Sequence, residues 1–256
     1  MKLIVIKCGG SIIDQLSDHF FNSLSELESL GYSFVFVHGG GPDINEMMKK
    51  FEIPVQFEKG LRKTSVKTLE IAELVLAGKT NRQLVHKLQA KGFRAVGING
   101  SDGPILEADY INKEQLGEVG AITKVNSHLL EKLLSSGFFP VLTPVSMSKA
   151  GQKLNVNADS AAGAVAAALQ AEICIFITDV DGIKNGDQLI DYITETEINQ
   201  LIDQGTIYGG MIPKVQAALA AKKQGASTIL ITSGVSGFFT ENKWSGTFLG
   251  TKERVI

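Results

Sequence analysis

Only two cysteines, six prolines and one tryptophan occur in the 256 residues. Cys8 and Cys174 both lie inside apolar runs. That excludes a disulfide scaffold and a thiolate zinc site, and it marks both as reduced core thiols. The four histidines, His19, His38, His86 and His128, fall at no metal-ligand spacing, so no protein-held metal is expected. Neither sign of charge dominates: 25 Lys and Arg stand against 27 Asp and Glu. A net charge of −2 argues against nucleic acid as a partner, so any anion site must be local. No apolar run approaches the ~18 residues that mark a membrane-spanning helix. The apolar run at residues 3–6 is also too short for a signal-peptide core. No membrane partner is expected, and the expected compartment is the cytoplasm. What is present is 44% hydrophobic residues, 20% charged residues and 27 glycines. This is the composition of a globular chain with a real core, built as one large domain or two small lobes.

Two periods alternate along the chain. Residues 3–6 and 34–37 are short continuous apolar runs, as in strands covered on both faces. Between them Leu16, Phe20, Leu24 and Leu27 mark one helical face, closed by Gly31. Pro42 then opens a helix carrying Ile44, Met47, Met48 and Phe51. Further helical patterns fall at 65–77, 81–91, 126–136, 158–170, 195–204 and 213–224. Strand-like runs fall at 94–98, 138–143, 173–178 and 228–232. This alternation predicts an α/β fold with a mainly parallel central sheet covered on both faces. Residues 104–123 and 146–155 break the rhythm and read as hairpins, placing a lobe boundary near 150–175.

Three glycine-rich turns follow strands: Lys7-Cys8-Gly9-Gly10-Ser11, His38-Gly39-Gly40-Gly41-Pro42 and Asp179-Val180-Asp181-Gly182. Ligands of open parallel sheets bind at the carboxyl ends of the strands, where glycines let backbone N–H groups approach an anion. One such turn is adequately explained as a tight bend. Three at one sheet edge, one of them with a lysine, favour an anion site. Gly78-Lys79-Thr80 resembles the end of a Walker loop, but position 73 is Glu where that pattern needs glycine. No G-x-G-x-x-G opens a helix after the first strand, so a nicotinamide dinucleotide fold is unsupported.

Single residues carry chemistry too. Lys7 ends a buried strand, a costly place unless it is paired, functional or snorkelling to the surface. Lys214 sits in the first turn of a helix, where a cation opposes the dipole unless the two share an anion. Asn155-Val156-Asn157-Ala158-Asp159 places three polar groups before an alanine-rich helix, more than capping needs. Arg62, in Gly60-Leu61-Arg62-Lys63-Thr64, has the fork that suits a carboxylate.

Together these segments resemble the amino-acid kinase family, and within it the branch that phosphorylates N-acetyl-L-glutamate. Leu116-Gly117-Glu118-Val119-Gly120 and Gly209-Gly210-Met211-Ile212-Pro213-Lys214 extend the match over nearly the whole chain. One departure is Tyr208, where a small residue is expected. The resemblance implies a three-layer αβα sandwich forming one domain, 1–256. It has an amino-acid-substrate and dimerisation lobe, 1–170, and an ATP-binding lobe, 171–256. It implies transfer of phosphate from ATP to the side-chain carboxylate of N-acetyl-L-glutamate, in arginine biosynthesis, with Mg2+ carried on the nucleotide phosphates. Lys7, Lys214 and Asp159 would be catalytic, with Asp159 orienting both lysines. Gly9 and Gly10 would bind phosphate, and Gly40, Gly41, Arg62 and Asn155 would bind the substrate. Thr178, Asp179, Val180, Asp181, Gly182, Ile183, Thr206, Ile207 and Tyr208 would hold the nucleotide. N-acetyl-aminoadipate is the alternative substrate, since one methylene is worth only ~1–3 kcal/mol. A non-catalytic sensor is the alternative of another class. Only Met1 and Lys2 precede the first strand run, whereas the hexameric, arginine-inhibited relatives carry an additional helix there. The resemblance therefore implies a homodimer with little response to arginine.

Overall fold

The computed structural model describes residues 2–250. Met1 and residues 251–256, the outer ends of the two expected lobes, lie outside the described residues.

The chain opens with β1 (Lys2–Cys8), α1 (Asp18–Ser29), β2 (Tyr32–His38) and α2 (Gly41–Lys50). A two-residue hairpin of β3 (Phe57–Glu58) and β4 (Leu61–Arg62) precedes α3 (Val66–Glu73). A π-helical segment, Leu74–Thr80, links α3 directly to α4 (Asn81–Ala90). The helical pattern expected at 65–77 covers the first half of this segment, and only residues 78–80 fall between it and the pattern at 81–91. β5 (Ala95–Asn99), β6 (Leu106–Tyr110), α5 (Lys113–Leu116), β7 (Val119–Val125), α6 (His128–Ser135) and β8 (Phe139–Thr143) follow. Next come β9 (Val145–Met147), β10 (Lys153–Val156), α7 (Ala158–Ala168) and β11 (Ile173–Thr178). The last third holds β12 (Lys184–Asn185), β13 (Gln188–Leu189), β14 (Tyr192–Ile193), α8 (Glu195–Asp203) and α9 (Met211–Lys223). It ends with β15 (Ile229–Ser233), β16 (Phe239–Thr240), β17 (Lys243–Trp244) and β18 (Thr247–Leu249).

Eight strands form the main sheet in the order β14-β18-β15-β11-β1-β2-β8-β5. The six from β15 to β5 are parallel, while β18 runs antiparallel to β15 and pairs in parallel with β14. The sheet therefore crosses the expected lobe boundary without a break, through the β1–β11 pairing. Its faces are both covered. Phe34 and Phe36 point to one side of β2, Val35 and Val37 to the other, and all four are fully buried. Helices pack on the sheet, α7 against β1, β2 and β11, and α4 and α6 against β8. The result is the expected layered α/β architecture with a mainly parallel sheet.

The two rhythm-breaking segments pair with each other. β6 and β7 are antiparallel, β9 and β10 are antiparallel, and together they close a small four-stranded barrel. That barrel delivers Asn155, on β10, to the carboxyl edge of the main sheet. A bridge between Thr64 and Gly117 ties the Arg62 hairpin to the same barrel.

Local caps fix the helices that matter. Asn157 caps α7, its Oδ1 accepting from Asp159 N at 2.8 Å and Ser160 N at 3.1 Å. One of the three polar groups before this helix is thus spent on capping. Asn155 and Asp159 remain available. α9 begins at Met211, two residues earlier than the proline suggested, so Pro213 lies within the first turn rather than at its start.

Candidate active site

A cleft of about 280 Å³ opens at the carboxyl ends of β1 and β2. Lys7, Gly10, Gly40, Gly41, Arg62, Asn155 and Asp159 all line it. Segments more than 150 residues apart are gathered because β1 and β2 are neighbours and α7 starts beside them. Gly10 and Gly40 meet here. A Cβ on Gly10 would fall 2.6 Å from the Gly40 Cα, so no other residue fits without moving backbone. No hydrogen bond occupies the Gly10 or Gly40 N–H among the described residues. Gly9 stands behind the lining, where a Cβ would be 4.0 Å from Lys7 Nζ.

Lys7 Nζ lies 2.7 Å from Asp159 Oδ1. The contact is an ion pair off the hydrogen-bond line, and it leaves the buried Oδ1 without a hydrogen-bond donor. Lys214 makes a different pair, with Asp179. The expectation that Asp159 holds both lysines is therefore corrected. In this structure each lysine has its own carboxylate, because Asp159 starts α7 beside β1 whereas Asp179 starts the loop after β11. The Lys214 hydrogen bond pulls the Asp179 carboxyl below its ordinary range.

Arg62 is buried, and no carboxylate stands within ion-pair distance of it among the described residues. Its guanidinium donates to Asn45 Oδ1 at 2.6 Å and to Gly41 O at 3.3 Å, touches Met48 Sδ at 3.3 Å, and lies 4.8 Å from the Phe57 ring centroid. Burial depresses its pKa, though a guanidinium stays charged. A desolvated cation supported only by neutral groups is an anion receptor in waiting. Asn155 Nδ2 donates to Thr64 Oγ1 at 3.0 Å, and the Thr64 hydroxyl in turn donates to Arg62 O at 2.8 Å. The two expected substrate-binding residues are thereby locked to each other. Asn45 and Phe57 were not singled out from the sequence, and Thr64 entered only as the last residue of the Arg62 segment. Asn45 lies one turn beyond the glycine loop on α2, which is the signal that could have found it.

A second, larger cleft of about 690 Å³ lies in the C-terminal part. Asp179, Val180, Asp181, Gly182, Ile183, Thr206, Ile207 and Tyr208 line it. Thr178 does not. It sits beneath, its hydroxyl donating to Val180 O at 3.0 Å, and so shapes the loop from below. Ile183 and Ile207 are buried walls, while Tyr208 stands 74% exposed at the rim. Lys214 lines neither cleft; its pair with Asp179 holds it at the edge of the second. No group of three or more His, Cys, Asp or Glu side chains gathers among the described residues. No helix among them is long and apolar enough to cross a membrane. The Walker-like Gly78-Lys79-Thr80 lies in the π-helical segment, with Lys79 and Thr80 both bonded to Asp43.

Residues 2–233 match the amino acid kinase family. The chain is 48% identical over 246 residues to the acetylglutamate kinase of Bacillus subtilis, covering 96% of this chain and 95% of that one. It is 46% identical over 256 residues to the acetylglutamate kinase of Halalkalibacterium halodurans, covering 99% and 97%. Among solved structures, smu.665 from Streptococcus mutans superposes with a TM-score of 0.83 at 32% identity, covering 96% of this chain and 98% of that one. With this similarity running over nearly its full length, the chain belongs to the amino acid kinase family and stands within it among the acetylglutamate kinases.

Proposed function

We propose that the chain transfers the terminal phosphoryl group of ATP to the side-chain carboxylate of N-acetyl-L-glutamate, forming an acyl phosphate for arginine biosynthesis. The observation that carries this reading is Arg62. It is a buried guanidinium without a carboxylate partner among the described residues, in the same cleft as Lys7 and the Gly10 and Gly40 N–H groups, which no described residue occupies. One cation thus waits for the substrate's α-carboxylate, while a separate lysine and two backbone donors await the transferring group. Asn155, tied to Thr64, supports the acetamido group.

The reacting carboxylate has an ordinary pKa near ~4.3 and is ionised at neutral pH, so it needs no general base. The barrier is repulsion between that carboxylate and the polyphosphate. Lys7 and Lys214 neutralise charge on the phosphoryl group as it crosses, and Gly10 and Gly40 N–H groups donate to its oxygens. Asp159 holds Lys7 in the cleft. Lys214 leaves Asp179 for the phosphates when the nucleotide arrives. ATP takes the second cleft, with adenine against Ile183, Ile207 and Tyr208. Mg2+ fits as an ion carried by the nucleotide phosphates and water, since the described residues gather no carboxylate cage. When bound it supplies charge neutralisation.

Residues 1–170 then form the substrate and dimerisation lobe and 171–256 the nucleotide lobe. We also propose a homodimer in the cytoplasm. Support for the dimer lies in the open edge at β5 and the exposed Val66 and Leu74 on the α3–π segment. Light scattering tests it, and a monomer at micromolar concentration would defeat it. The activity is tested by ATP-dependent hydroxamate formation with N-acetylglutamate, N-acetyl-aminoadipate, glutamate and aspartate at equal concentration. The expected order puts N-acetylglutamate first, and no turnover with it would refute the reading.

A further inference from the structure

His38 ends β2 and is completely buried, yet it touches no cleft. Its Nδ1 lies 3.1 Å from the Gly39 carbonyl oxygen. A carbonyl only accepts, so the ring proton is on Nδ1. Nε2 is then an acceptor, and two donors meet it: Asn81 Nδ2 at 3.1 Å and the Thr143 hydroxyl at 3.3 Å. Asn81 is oriented from outside. Its Nδ2 also donates to Val141 O at 2.8 Å, while its Oδ1 accepts from Arg82. The tautomer is therefore set by a backbone carbonyl on β8 and by a helix start on α4.

The same helix start presses on the glycine loop. Asn81 directly follows the π-helical segment, and that segment places Leu76 and Thr80 against Gly40, where a Cβ would be 2.6 Å from Leu76 Cδ2. π-helical turns are rare and concentrate at functional sites. On the other side, Gly39 N–H donates to Cys8 O at 3.0 Å. The Gly39–Gly40 peptide is thus flanked by fixed groups, the Gly39 N–H tied to β1 on one side and Gly40 packed against Leu76 and Thr80 on the other. In a trans peptide the C=O and the following N–H point in opposite directions. With the Gly39 carbonyl held to the buried ring, the Gly40 N–H faces the cleft.

We propose that His38 is a positioning residue for phosphoryl transfer, its Nδ1–H holding the Gly39 carbonyl in the core and so aiming the Gly40 N–H at the transferring phosphoryl oxygen. The inference rests on the phosphoryl-transfer reading above. It gives the histidine of the glycine-rich turn a role that needs no proton transfer by the ring.

Two variants separate this role from simple core filling. In His38→Asn the amide nitrogen falls near the Nδ1 position and can donate to Gly39 O. In His38→Gln it falls near the Nε2 position and cannot. Both lose the ring, so the cost to packing is similar. With folding checked by thermal unfolding, kcat of the Asn variant should exceed that of the Gln variant by ~10-fold or more, a fraction of what a lost oxyanion donor costs. The Michaelis constant for N-acetylglutamate should be alike in the two. Equal kcat values would overturn the proposal. If neither variant folds, the wild-type chain answers by 15N NMR. The resting protein should show the Nδ1–H tautomer, and the Gly40 amide should shift downfield on adding MgADP, aluminium fluoride and N-acetylglutamate. An active chain with the Nε2–H tautomer, or with an unmoved Gly40 amide, overturns the role of His38 alone. A wild-type chain without kinase activity defeats the reaction and this proposal with it.

Discussion

Gly163 on α7 faces Ala221 on α9 so closely that a Cβ on the glycine would lie 2.5 Å from the Ala221 Cα. The two helices carry charged groups of the two sides near their N-terminal ends, Asp159 of the first cleft on α7 and Lys214, paired with Asp179 of the second, on α9. Alanine-rich faces make the approach attainable, since α7 buries Ala161, Ala162 and Ala166 and α9 buries Ala218 and Ala221. The distance between the substrate side and the nucleotide side is thus set by a contact between small residues about one turn from Asp159 and two turns from Lys214.

Gly163→Val is expected to force the helices apart. Overpacking of this kind costs ~1–3 kcal/mol, which in a chain of this size lowers Tm by several degrees. Because α9 moves as a body, kcat should fall together with Tm, measured below the onset of unfolding. A variant with lowered Tm and unchanged kcat would show that this contact serves stability alone.

Lys7→Ala and Lys214→Ala are each expected to lower kcat by ~10²-fold or more, since each removes charge that answers charge in the transition state. The fold should survive, because both side chains reach solvent, with 17% and 25% of their side-chain surface exposed. Circular dichroism checks the fold and a coupled ADP assay checks the rate. Near-normal turnover in either variant would remove that lysine from the reaction.

The strands at 3–6, 34–37 and 173–178 were legible because both-sided burial writes an unbroken apolar run. The glycine-rich turns were legible because Gly10 and Gly40 approach too closely for any side chain. The π-helical junction was not, since Leu74–Thr80 has the composition of an ordinary helix and only its packing against Gly40 distinguishes it. The short strands β14 and β18 were missed for a related reason. Two or three residues at a sheet edge carry too little periodicity to read. The lysine partners were half legible: a carboxylate near Lys7 could be inferred, but which carboxylate meets Lys214 depends on the β11 loop, whose course no local pattern fixes.

Arg62→Lys keeps the positive charge and loses the planar fork. A lysine in this hairpin reaches either Asn45 or the cleft, not both as the guanidinium does. The Michaelis constant for N-acetylglutamate should rise at least ~10-fold, as expected when a charge-assisted hydrogen bond of ~1.5–3 kcal/mol is lost. The constant for ATP should change little. Steady-state kinetics with each substrate varied in turn gives both numbers, and an unchanged N-acetylglutamate constant would take Arg62 out of the substrate site.

Burial holds the His38 pKa at about 4, against 6.5 for a free histidine, and the Arg82 charge pushes it the same way while the Gly39 hydrogen bond opposes. The other groups facing the ring, Asn81 and Thr143, are neutral. Between about 4 and 6.5 the unfolded chain therefore takes up a proton that the folded chain refuses. Stability from this group is complete above pH 6.5 and is lost as pH falls toward 4, at ~1.4 kcal/mol per unit inside that window. From pH 7 to pH 5 this amounts to roughly 2 kcal/mol. His38→Asn lacks the titrating ring, so its unfolding free energy should fall by about that much less than wild type over the same interval. Urea unfolding of both proteins at the two pH values isolates the difference, because every other acid-labile group is common to them. Parallel losses would mean that His38 titrates near its unfolded value, and hence that the ring is not sealed in the core between Asn81, Thr143 and the glycine loop.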